Sequence, residues 1–445
     1  MPDAAKDTKI LIMPNYDVIV VGGGTAGCAA AYTAGKLGLK TLLIERKIHL
    51  GGTITSGLVI PVMKSGDNQI NTEFREALTA ELRELGGQAT FQSNSGWFNP
   101  ELAKIALDNL MKKANVEVFF DTHIINVKIE DRHITRVKIS KEILSVSTDE
   151  IDMEKKKLSV SIGAKYIIDA TGNCEIGKIA NCNFLEKDKE FQPVTLRFMM
   201  GGVDLKTFAK WLAEYDKDRN VTIVEEIDGY IHLSTAYTWD KDKNWALKPI
   251  FDDAVKNKVL KRYDTNYFQI FTVPGMPDTV AFNSPRVIDY NNSLEVKSIS
   301  KALLLARQNI YRYLIFCRKY FPGFENAYIS NIADMLGVRV SRRIKGKYIY
   351  TVDDLKSGKK FEHPVVISNY PVDVHSNKKN CSTLQSYSDY QLPIEALMSA
   401  DIDNLFVAGR CLSADFMSQG ALRVQASCFS MGEGVAKYIA SIIKK

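Results

Sequence analysis

Five basic side chains fall within the stretch GVRVSRRIKGKY at 337–348, and such a cluster can hold a carboxylate or a phosphate. They are Arg339, Arg342, Arg343, Lys345 and Lys347. If residues 338–345 form a strand, alternation puts Arg342 on the apolar face of that strand. A buried arginine needs an anionic partner. Two interpretations stay open: an ion pair that joins two domains, or an anion clamp at an active site with Arg339 or Arg342 as donor.

Other residues could move a proton or complete the same cavity. His375, in YPVDVHS, is a candidate because histidine can exchange a proton near neutral pH, although a structural role stays open. Tyr387 and Tyr390 precede the return of the chain to its first domain and can line the same space. Arg197 and Arg286 flank apolar strands and can face it too. We predict that the catalytic residues are His375, Arg339, Arg342 and Tyr390.

These side chains need a scaffold, and the first thirty residues after Asn15 indicate one. DVIVV is an apolar, β-branched run typical of a buried parallel strand, and GGGTAG with an Ala-rich helix follows it. Gly22 allows the tight turn, Gly24 lets the backbone approach a pyrophosphate, and Gly27 lets the helix pack on the strand. Glu45 ends the next strand, where a carboxylate can accept hydrogen bonds from ribose hydroxyls. The segment therefore predicts a dinucleotide site.

Three later segments distinguish FAD from NAD. They are RKIHLGGTITSG, KYIIDATG, and the C-terminal stretch that begins NLFVAGRCLSADFMSQGALRVQ. Their order resembles the glutathione-reductase-type FAD-binding fold, and there is no second GxGxxG after a strand. The resemblance implies cofactor contacts at Gly22, Gly24, Thr25, Ala26, Gly27, Glu45, Arg46, Gly51, Gly52, Thr53, Ile124, Ala170, Thr171, Gly172, Gly409, Arg410, Gly420, Arg423, Val424 and Gln425. A helix that starts near Ala426 would point its N-terminus at the flavin. For Arg423, anchoring of the flavin loop is the favoured role.

From about Tyr16 onward the whole chain resembles a bacterial family, the FAD-dependent oxidoreductases, which are related to the fumarate reductase and succinate dehydrogenase flavoproteins. The matching stretches are LRFMMGGVD, NSPRV, FPGFENAYI, GVRVSRRIKGKY, YPVDVH, YQLP and AGRCLSADFMSQGALRVQ. The resemblance implies bound FAD and redox chemistry. Members of the related family often attach flavin through a histidine near the second glycine pair. His49 precedes that pair here, so we predict non-covalent FAD.

The leading function that follows is hydride transfer between flavin N5 and a small polar or anionic organic substrate. The arginines and His375 favour such a substrate. Two alternatives stay open: an electron carrier that serves a protein partner, and an RNA-modifying flavoprotein. The substrate, the direction of reaction and the electron donor or acceptor also stay open.

The predicted fold is α/β, a Rossmann-like FAD-binding domain with an inserted α+β substrate domain. We predict that the FAD domain spans 16–190 and 386–445, with a helical cap at 66–99, and that the substrate domain spans 191–385. A meander of strands should follow the helix that begins at Pro100, and STDEIDMEKKKLSV should form an exposed hairpin. A long helix should end before Pro322 and Gly323.

Composition limits the remaining classes. The 445 residues carry a net charge of +6, a mild excess that does not indicate nucleic-acid binding. No apolar run approaches the ~20 residues of a membrane span. The seven cysteines form no CxxC pair, so we expect neither a disulfide framework nor a metal site. We expect a cytoplasmic protein, and a homo-oligomer is compatible with the sequence.

Overall fold

The computed structural model describes residues 10–146, 153–186, 192–238, 245–287, 293–375, 382–383 and 388–444. The chain begins with strand β1 (Ile10–Ile12), strand β2 (Tyr16–Val21), helix α1 (Thr25–Lys36) and strand β3 (Thr41–Ile44). The alanines of α1 let this helix lie close to the sheet, and the helix is buried along most of its length. This β–α–β unit confirms the predicted strand–turn–helix context of the glycine motif.

The region at 66–99 forms one helix and a hairpin, where a helical cap was predicted. The elements are helix α2 (Glu73–Glu84), strand β4 (Gln88–Phe91) and strand β5 (Asn94–Phe98). Gly86 and Gly87 end the helix, and the two-residue turn at Gln92 and Ser93 has positive φ angles that reverse the chain. The prediction missed the hairpin because the stretch after the glycines is polar.

The next part of the chain confirms the predicted helix and meander. It contains helix α3 (Pro100–Lys113) and strands β6 (Glu117–Phe119), β7 (His123–Glu130), β8 (His133–Val146) and β9 (Met153–Asp169). Asn99 caps α3 because its side chain accepts from two backbone amides, and Pro100 occupies the first turn. Strands β8 and β9 pair antiparallel up to Val146 and Met153. The tip of the predicted hairpin, 147–152, lies outside the described residues.

The inserted region is built on a six-stranded antiparallel sheet in the order β12-β13-β14-β15-β11-β17. Helix α4 (Glu175–Ile179) follows β9 and precedes this region. The helices and strands of the inserted region are β10 (Val194–Thr195), β11 (Phe198–Gly201), α5 (Leu205–Tyr215), β12 (Ile223–Ile227), β13 (Tyr230–Thr238), α6 (Lys248–Lys256), β14 (Tyr267–Val273), β15 (Met276–Phe282), β16 (Arg286–Val287), α7 (Val296–Tyr320) and β17 (Tyr328–Ile332). A 3₁₀ turn spans Arg262–Asn266. The rings of Phe198 and Phe282 stack on each other in the core of the inserted region. Helix α7 ends before Pro322, as predicted.

The segment at 338–345 is not a regular strand, so the predicted alternation of its side chains is wrong. Only isolated bridges hold the surrounding stretch, for example from Gly337 to Thr195 and from Ile344 to Phe184. Alternation along a strand would place Arg343 on the face opposite Arg342, together with Arg339, but Arg343 is 4% exposed and Arg339 lines the cavity. Because the segment crosses between loops of both domains, its backbone pairs with several partners in turn and follows no single sheet.

The chain then returns to the first sheet. The closing elements are α8 (Val352–Ser357), β18 (Pro364–Ser368), β19 (Val374–His375), β20 (Ser382–Thr383), β21 (Tyr390–Pro393), β22 (Leu405–Val407), α9 (Phe416–Leu422) and α10 (Gln425–Ile443), with a 3₁₀ turn at Ile394–Leu397. Strand β21 pairs with β18, and β22 pairs with β9. The domain boundaries at 190 and 385 stay predictions.

The parallel part of the large sheet has the order β6-β3-β2-β9-β22. Val21 is in register with Ile44 and Asp169, and Asp169 with Val407. The carboxyl ends of these strands therefore meet at one edge, which is where open α/β sheets bind ligands. The α/β class, with a Rossmann-like sheet and an additional antiparallel domain, is confirmed. Among the described helices, none combines the length and the apolar character that a membrane crossing requires.

Candidate active site

A cavity of about 1300 Å³ opens at this edge and extends between the two domains. Residues after β2, β3, β9 and β22 line one part of it, and residues of β14, β16 and the irregular segment line the other. Of the predicted cofactor contacts, all line the cavity except Gly27, Gly51 and Gly420. The strand register brings them together, because each follows or supports a strand end at the same edge.

The three glycines of the first turn serve different purposes. A Cβ on Gly22 would lie 2.7 Å from the Ala170 carbonyl oxygen, and a Cβ on Gly27 would collide with the Gly22 carbonyl oxygen. Protein packing thus requires both glycines. At Gly24 the closest atom to a Cβ would be the Gly52 Cα at 4.0 Å, so the protein itself leaves room there. A ligand that passes close to this backbone explains Gly24.

Glu45 stands at the end of β3, as predicted, and is 8% exposed. One of its carboxylate oxygens accepts from the Gly23 amide at 2.6 Å, and the other accepts from the Lys47 amide at 2.8 Å. These bonds hold the carboxylate at the wall of the cavity. Arg46 lies beside it, partly exposed, and contacts Glu175 at 3.4 Å.

The loops that carry the other predicted contacts are tied to one another. Gly51 and Gly52 have positive φ angles, and Gly51 forms a bridge to Gly24. The hydroxyls of Thr25 and Thr53 lie 2.8 Å apart. This contact joins the start of α1 to the second glycine pair.

The turn after β9 is organised by a buried carboxylate. Asp169 accepts hydrogen bonds from the Thr171 amide and hydroxyl and from the amides of Ile176 and Gly177. Burial raises the pKa of Asp169, and these hydrogen bonds act against that shift. The carboxylate therefore fixes the predicted stretch from Ala170 to Gly172 and the start of α4 relative to β9.

The C-terminal loop faces the same cavity. Gly409 has a φ of +89°, and Arg410 donates to the Gly172 carbonyl at 2.6 Å and to Asn173 at 2.9 Å. Helix α10 begins at Gln425 without a side-chain cap, and Val424 and Gln425 line the cavity. The side-chain amide oxygen Oε1 of Gln425 is buried without a hydrogen-bond partner among the described atoms. Gly420 does not line the cavity. A Cβ at this position would lie 2.8 Å from a methyl group of Val374, so packing is enough to explain the glycine.

These features fit a dinucleotide cofactor. The starts of α1 and α10 both lack side-chain caps, so their first amides can bind anionic or carbonyl oxygens. Gly24 leaves a channel for a pyrophosphate, and Glu45 offers oxygens for ribose hydroxyls. Ile124 adds an apolar wall. His49, in contrast, bonds to the Ser56 hydroxyl at 2.8 Å and does not line the cavity, in keeping with the expected non-covalent attachment.

Four arginines line the other part of the cavity, and we name Arg197, Arg286, Arg339 and Arg423 the arginine cluster. Arg197 donates to the carbonyls of Leu58 and Ile60, at 3.3 and 3.1 Å. The Arg286 guanidinium lies 3.5 Å from the centre of the Tyr267 ring. Arg339 donates to the Pro193 carbonyl and to the Thr195 hydroxyl. Arg423 bonds to the Asp373 carboxylate at 3.1 Å, so it is more than a loop anchor.

Most of the positive charge of the arginine cluster has no carboxylate at ion-pair distance among the described residues. Within the described residues, Asp373 is the only carboxylate at ion-pair distance from any of the four arginines. The pKa of Arg197 is lowered to about 10, mainly by burial and in part by the charge of Arg286. Burial also lowers the pKa of Arg339, and the charges of Arg286 and Arg423 add to that effect. Counted over the part of the chain that the structure describes, four cations less one paired carboxylate leave an excess of three positive charges.

His375 belongs to the same group, as predicted. Its Nε2 lies 3.1 Å from the Asp373 carboxylate, and its side chain is 10% exposed. Burial lowers the pKa of His375 to about 3, and the charge of Arg339 contributes. Burial would raise the pKa of Asp373, but Arg423 and His375 outweigh burial and lower it. The pair is therefore a neutral imidazole beside an ionised carboxylate at neutral pH.

The structure does not bring Arg342 and Tyr390 to the cavity. Arg342 donates to the Asn173 carbonyl at 3.1 Å, because the irregular backbone turns this side chain toward the loop after β9. Tyr390 is fully buried, and its hydroxyl donates to the Tyr370 carbonyl at 2.9 Å. Both side chains are used in holding loops, so we remove them from the candidate catalytic set. Tyr387 lies outside the described residues.

The stretch at 337–348 contains three further cations in addition to Arg339 and Arg342, and the structure shows the surroundings of each. Arg343 donates to the Ala414 carbonyl at 2.7 Å, and Lys345 and Lys347 are exposed. Neither of the two interpretations therefore describes the whole stretch. Arg339 faces the cavity, Arg342 donates to the Asn173 carbonyl, and Arg343 is buried and donates to the Ala414 carbonyl.

Several cavity residues were absent from the predicted set. Tyr267 donates to Gln269 at 2.9 Å, and Asn283 donates to both of these side chains, which gives a polar wall on β14 and β15. Tyr370 and Asp373 come from the stretch NYPVD. Asp373 is two residues before His375. On an extended segment, side chains two residues apart point to the same side, so this spacing could have predicted that the two side chains meet.

A family model described as FAD dependent oxidoreductase matches residues 17–445. Thiamine thiazole synthase of Saccharolobus islandicus (strain L.S.2.15 / Lassen #1) is 26% identical over 157 residues, which cover 35% of this chain and 55% of that protein. The enzyme of that name from Sulfolobus acidocaldarius is 28% identical over 160 residues, with the same coverage. The chain thus spans about half the length of the curated relatives it matches.

Among solved structures, a geranylgeranyl bacteriochlorophyll reductase-like protein from Thermoplasma acidophilum aligns with a TM-score of 0.47 and 16% identity. The alignment covers 98% of this chain and 80% of that one.

Proposed function

The chain belongs to the family of FAD-dependent oxidoreductases, and we propose that it oxidises or reduces a small organic anion held by the arginine cluster. FAD is its cofactor, and bound FAD supplies the donation or acceptance of a hydride. The observation that carries the proposal is the excess of positive charge at the end of the cavity away from the dinucleotide motif. The relatives named above differ too much in length for their substrates to be transferred.

The arginine cluster would bind the anion. A guanidinium forms two parallel, charge-assisted hydrogen bonds with a carboxylate, and these are stronger and more specific in geometry than hydrogen bonds between neutral groups. Arg286 is held in place by the Tyr267 ring, and Arg197 by two backbone carbonyls. Because these partners carry no formal negative charge, the cations keep their attraction for a substrate. An anion would also relieve the repulsion among the arginines.

The His375–Asp373 pair would handle a proton. The ionised Asp373 can only accept, so Nε2 of the neutral His375 carries the hydrogen and Nδ1 carries the lone pair. Burial keeps the pKa of His375 low, and the charges of Arg339 and Arg286 add to that effect. A bound anion offsets those two charges and makes the imidazole more basic once substrate is present. His375 would then accept a proton from, or return it to, the substrate atom next to the redox-active carbon.

Anaerobic stopped-flow spectroscopy tests this proposal. The oxidised holoenzyme is mixed with 2-hydroxy carboxylates and amino acids, and the reduced holoenzyme with unsaturated carboxylates. We expect one class to change the flavin absorbance, and we expect Arg286→Gln to raise the apparent Kd at least tenfold. Arg342→Gln removes the same charge outside the cavity and should leave that Kd unchanged.

Two outcomes would contradict the proposal. One is that no small anion reacts while a redox protein exchanges electrons with the flavin, which would establish the electron-carrier alternative. The other is that Arg286→Gln and Arg342→Gln alter the substrate Kd equally.

A further inference from the structure

A second cavity lies beside the first, between helix α2, the β4–β5 hairpin and the segment at 62–69. Its volume is about 250 Å³, and Met63 and Lys64 line both cavities. At the packing density of a protein interior, about 0.74, such a volume holds on the order of ten non-hydrogen atoms. Neither the dinucleotide motif nor the arginine cluster reaches it.

The floor of this second cavity is apolar. It is formed by side chains that are between 1% and 4% exposed: Ile54, Leu78, Leu82, Phe98 and Phe429. Because these side chains already have little contact with water, the gain on binding comes mainly from the apolar surface of the ligand itself, at about 25 cal/mol for each Å² removed from water. The floor therefore favours an aliphatic or aromatic group.

The rim of the cavity contains a cation without a carboxylate partner. Arg75 donates to the Gln69 side chain at 2.5 Å, and Gln69 donates in turn to the Gly66 carbonyl at 2.9 Å. Within the described part of the chain, no carboxylate lies at ion-pair distance from Arg75. Burial lowers the pKa of Arg75, and the charge of Glu76 only partly opposes this. A guanidinium held in place but not neutralised is prepared for an external anion.

We propose that the second cavity binds a small monocarboxylate with an apolar tail. Arg75 takes the carboxylate in two parallel hydrogen bonds, and the apolar floor takes the tail. Lys64 adds a second positive charge at the rim, and Asp67 supplies one negative charge there. The net charge of the rim is thus +1, which rejects amines and gives neutral amides no ionic partner.

Met63 and Lys64 line both cavities, so the second cavity shares a wall with the first, and our proposal includes coupling through these two side chains. A ligand against these two side chains restricts their movement on the other side as well. Binding at the two sites must then change each affinity by the same factor, since coupling free energies are reciprocal. The site does not depend on the proposed substrate: it exists whether or not the arginine cluster binds an organic anion.

Isothermal titration calorimetry of the FAD-loaded protein with hexanoate tests the proposal. Hexanoate could also bind the arginine cluster, so each site is removed in turn. Arg75→Gln should abolish one equivalent of binding or weaken it at least tenfold, and Arg286→Gln should leave that equivalent intact. Arg83→Gln, on the same helix but outside the cavity, is the matched control, and Arg75→Lys should retain part of the affinity. Hexanamide should not bind.

The proposal is overturned if Arg75→Gln binds hexanoate as the unaltered protein does, or if Arg286→Gln alone removes all binding. It is also overturned if hexanamide binds as well as hexanoate, because the cation then has no role. The loss of all binding in Arg286→Gln would place the carboxylate at the arginine cluster and so support the proposed function, while the other two results leave that function untouched.

Discussion

At the residue scale, the glycines of the first turn differ in whether protein packing or a bound ligand requires them. Gly24→Ala places a methyl group in open space, so the fold should keep its stability while FAD affinity falls at least tenfold. Gly27→Ala places its methyl group against the Gly22 carbonyl, so both stability and FAD affinity should fall. Flavin fluorescence titration gives the affinity, and urea unfolding of the FAD-free protein gives the stability.

The comparison between the two variants decides the role of Gly24. If Gly24→Ala lowered the urea midpoint as much as Gly27→Ala, Gly24 would be a packing residue. If it bound FAD normally, the channel beside Gly24 would not hold the pyrophosphate.

The sequence predicted the cofactor residues better than the catalytic ones, and the reason is local geometry. The glycine turn, Glu45 and the stretch at 170–172 act through backbone that follows a strand directly, so their positions follow from the strand order. Arg342 and Tyr390 act through long or buried side chains whose direction depends on contacts distant in sequence. Alternation within one segment could not reveal that the Asn173 carbonyl would hold Arg342.

At the scale of elements, the junction of β9 and α4 depends on one carboxylate. Asp169 accepts four hydrogen bonds, two at each oxygen. In Asp169→Asn only one side-chain atom can accept, so either the pair from Thr171 or the amides of Ile176 and Gly177 lose their acceptor. A buried donor left unsatisfied costs about 1–3 kcal/mol, and the relief of a buried charge offsets part of this.

We therefore expect Asp169→Asn to destabilise the protein by about 2–4 kcal/mol, as judged from urea unfolding. Thr171→Val removes the hydroxyl and with it one of the four hydrogen bonds that Asp169 accepts, so it should lower the free energy of unfolding by about 1 kcal/mol. Equal midpoints for the two variants would show that the carboxylate does not organise this junction.

Elements with strong periodic patterns were predictable, and those held by distant partners were not. Helix α7 carries a sustained helical pattern and a clear stop at Pro322, and both appear in the structure. The segment at 338–345 alternates like a strand but has no continuous neighbour with which to form a ladder. Its isolated bridges to Thr195 and Phe184 depend on how two domains meet, which no local pattern encodes.

At the scale of the whole molecule, the cavity holds charged and titratable side chains between two domains, so the stability of the folded protein depends on their protonation. His375 has a pKa of about 3 in the folded protein, against an ordinary value of 6.5. Between these two pH values the unfolded chain binds a proton at His375 that the folded chain does not. Stability therefore rises with pH across this window and is lost as the pH falls from 6.5 toward 3.

Asp373 acts in the same direction at lower pH. The pKa of its carboxyl is lowered in the folded protein, so its contribution is present above the ordinary value of 3.8 and is lost below it. Acid should consequently weaken the contact between the stretch that carries Asp373 and the loop that carries Arg423.

His375→Gln tests this linkage because glutamine can still donate to Asp373 but does not titrate. One proton of difference corresponds to a slope of at most about 1.4 kcal/mol per pH unit. Urea unfolding between pH 4 and 6.5 should therefore show a shallower loss of stability for His375→Gln than for the unaltered protein. His363→Gln is the control, since that side chain is 56% exposed and should leave the slope unchanged. Identical slopes for all three proteins would mean that the imidazole is already protonated in the folded state, and the arginine cluster would then not suppress its charge.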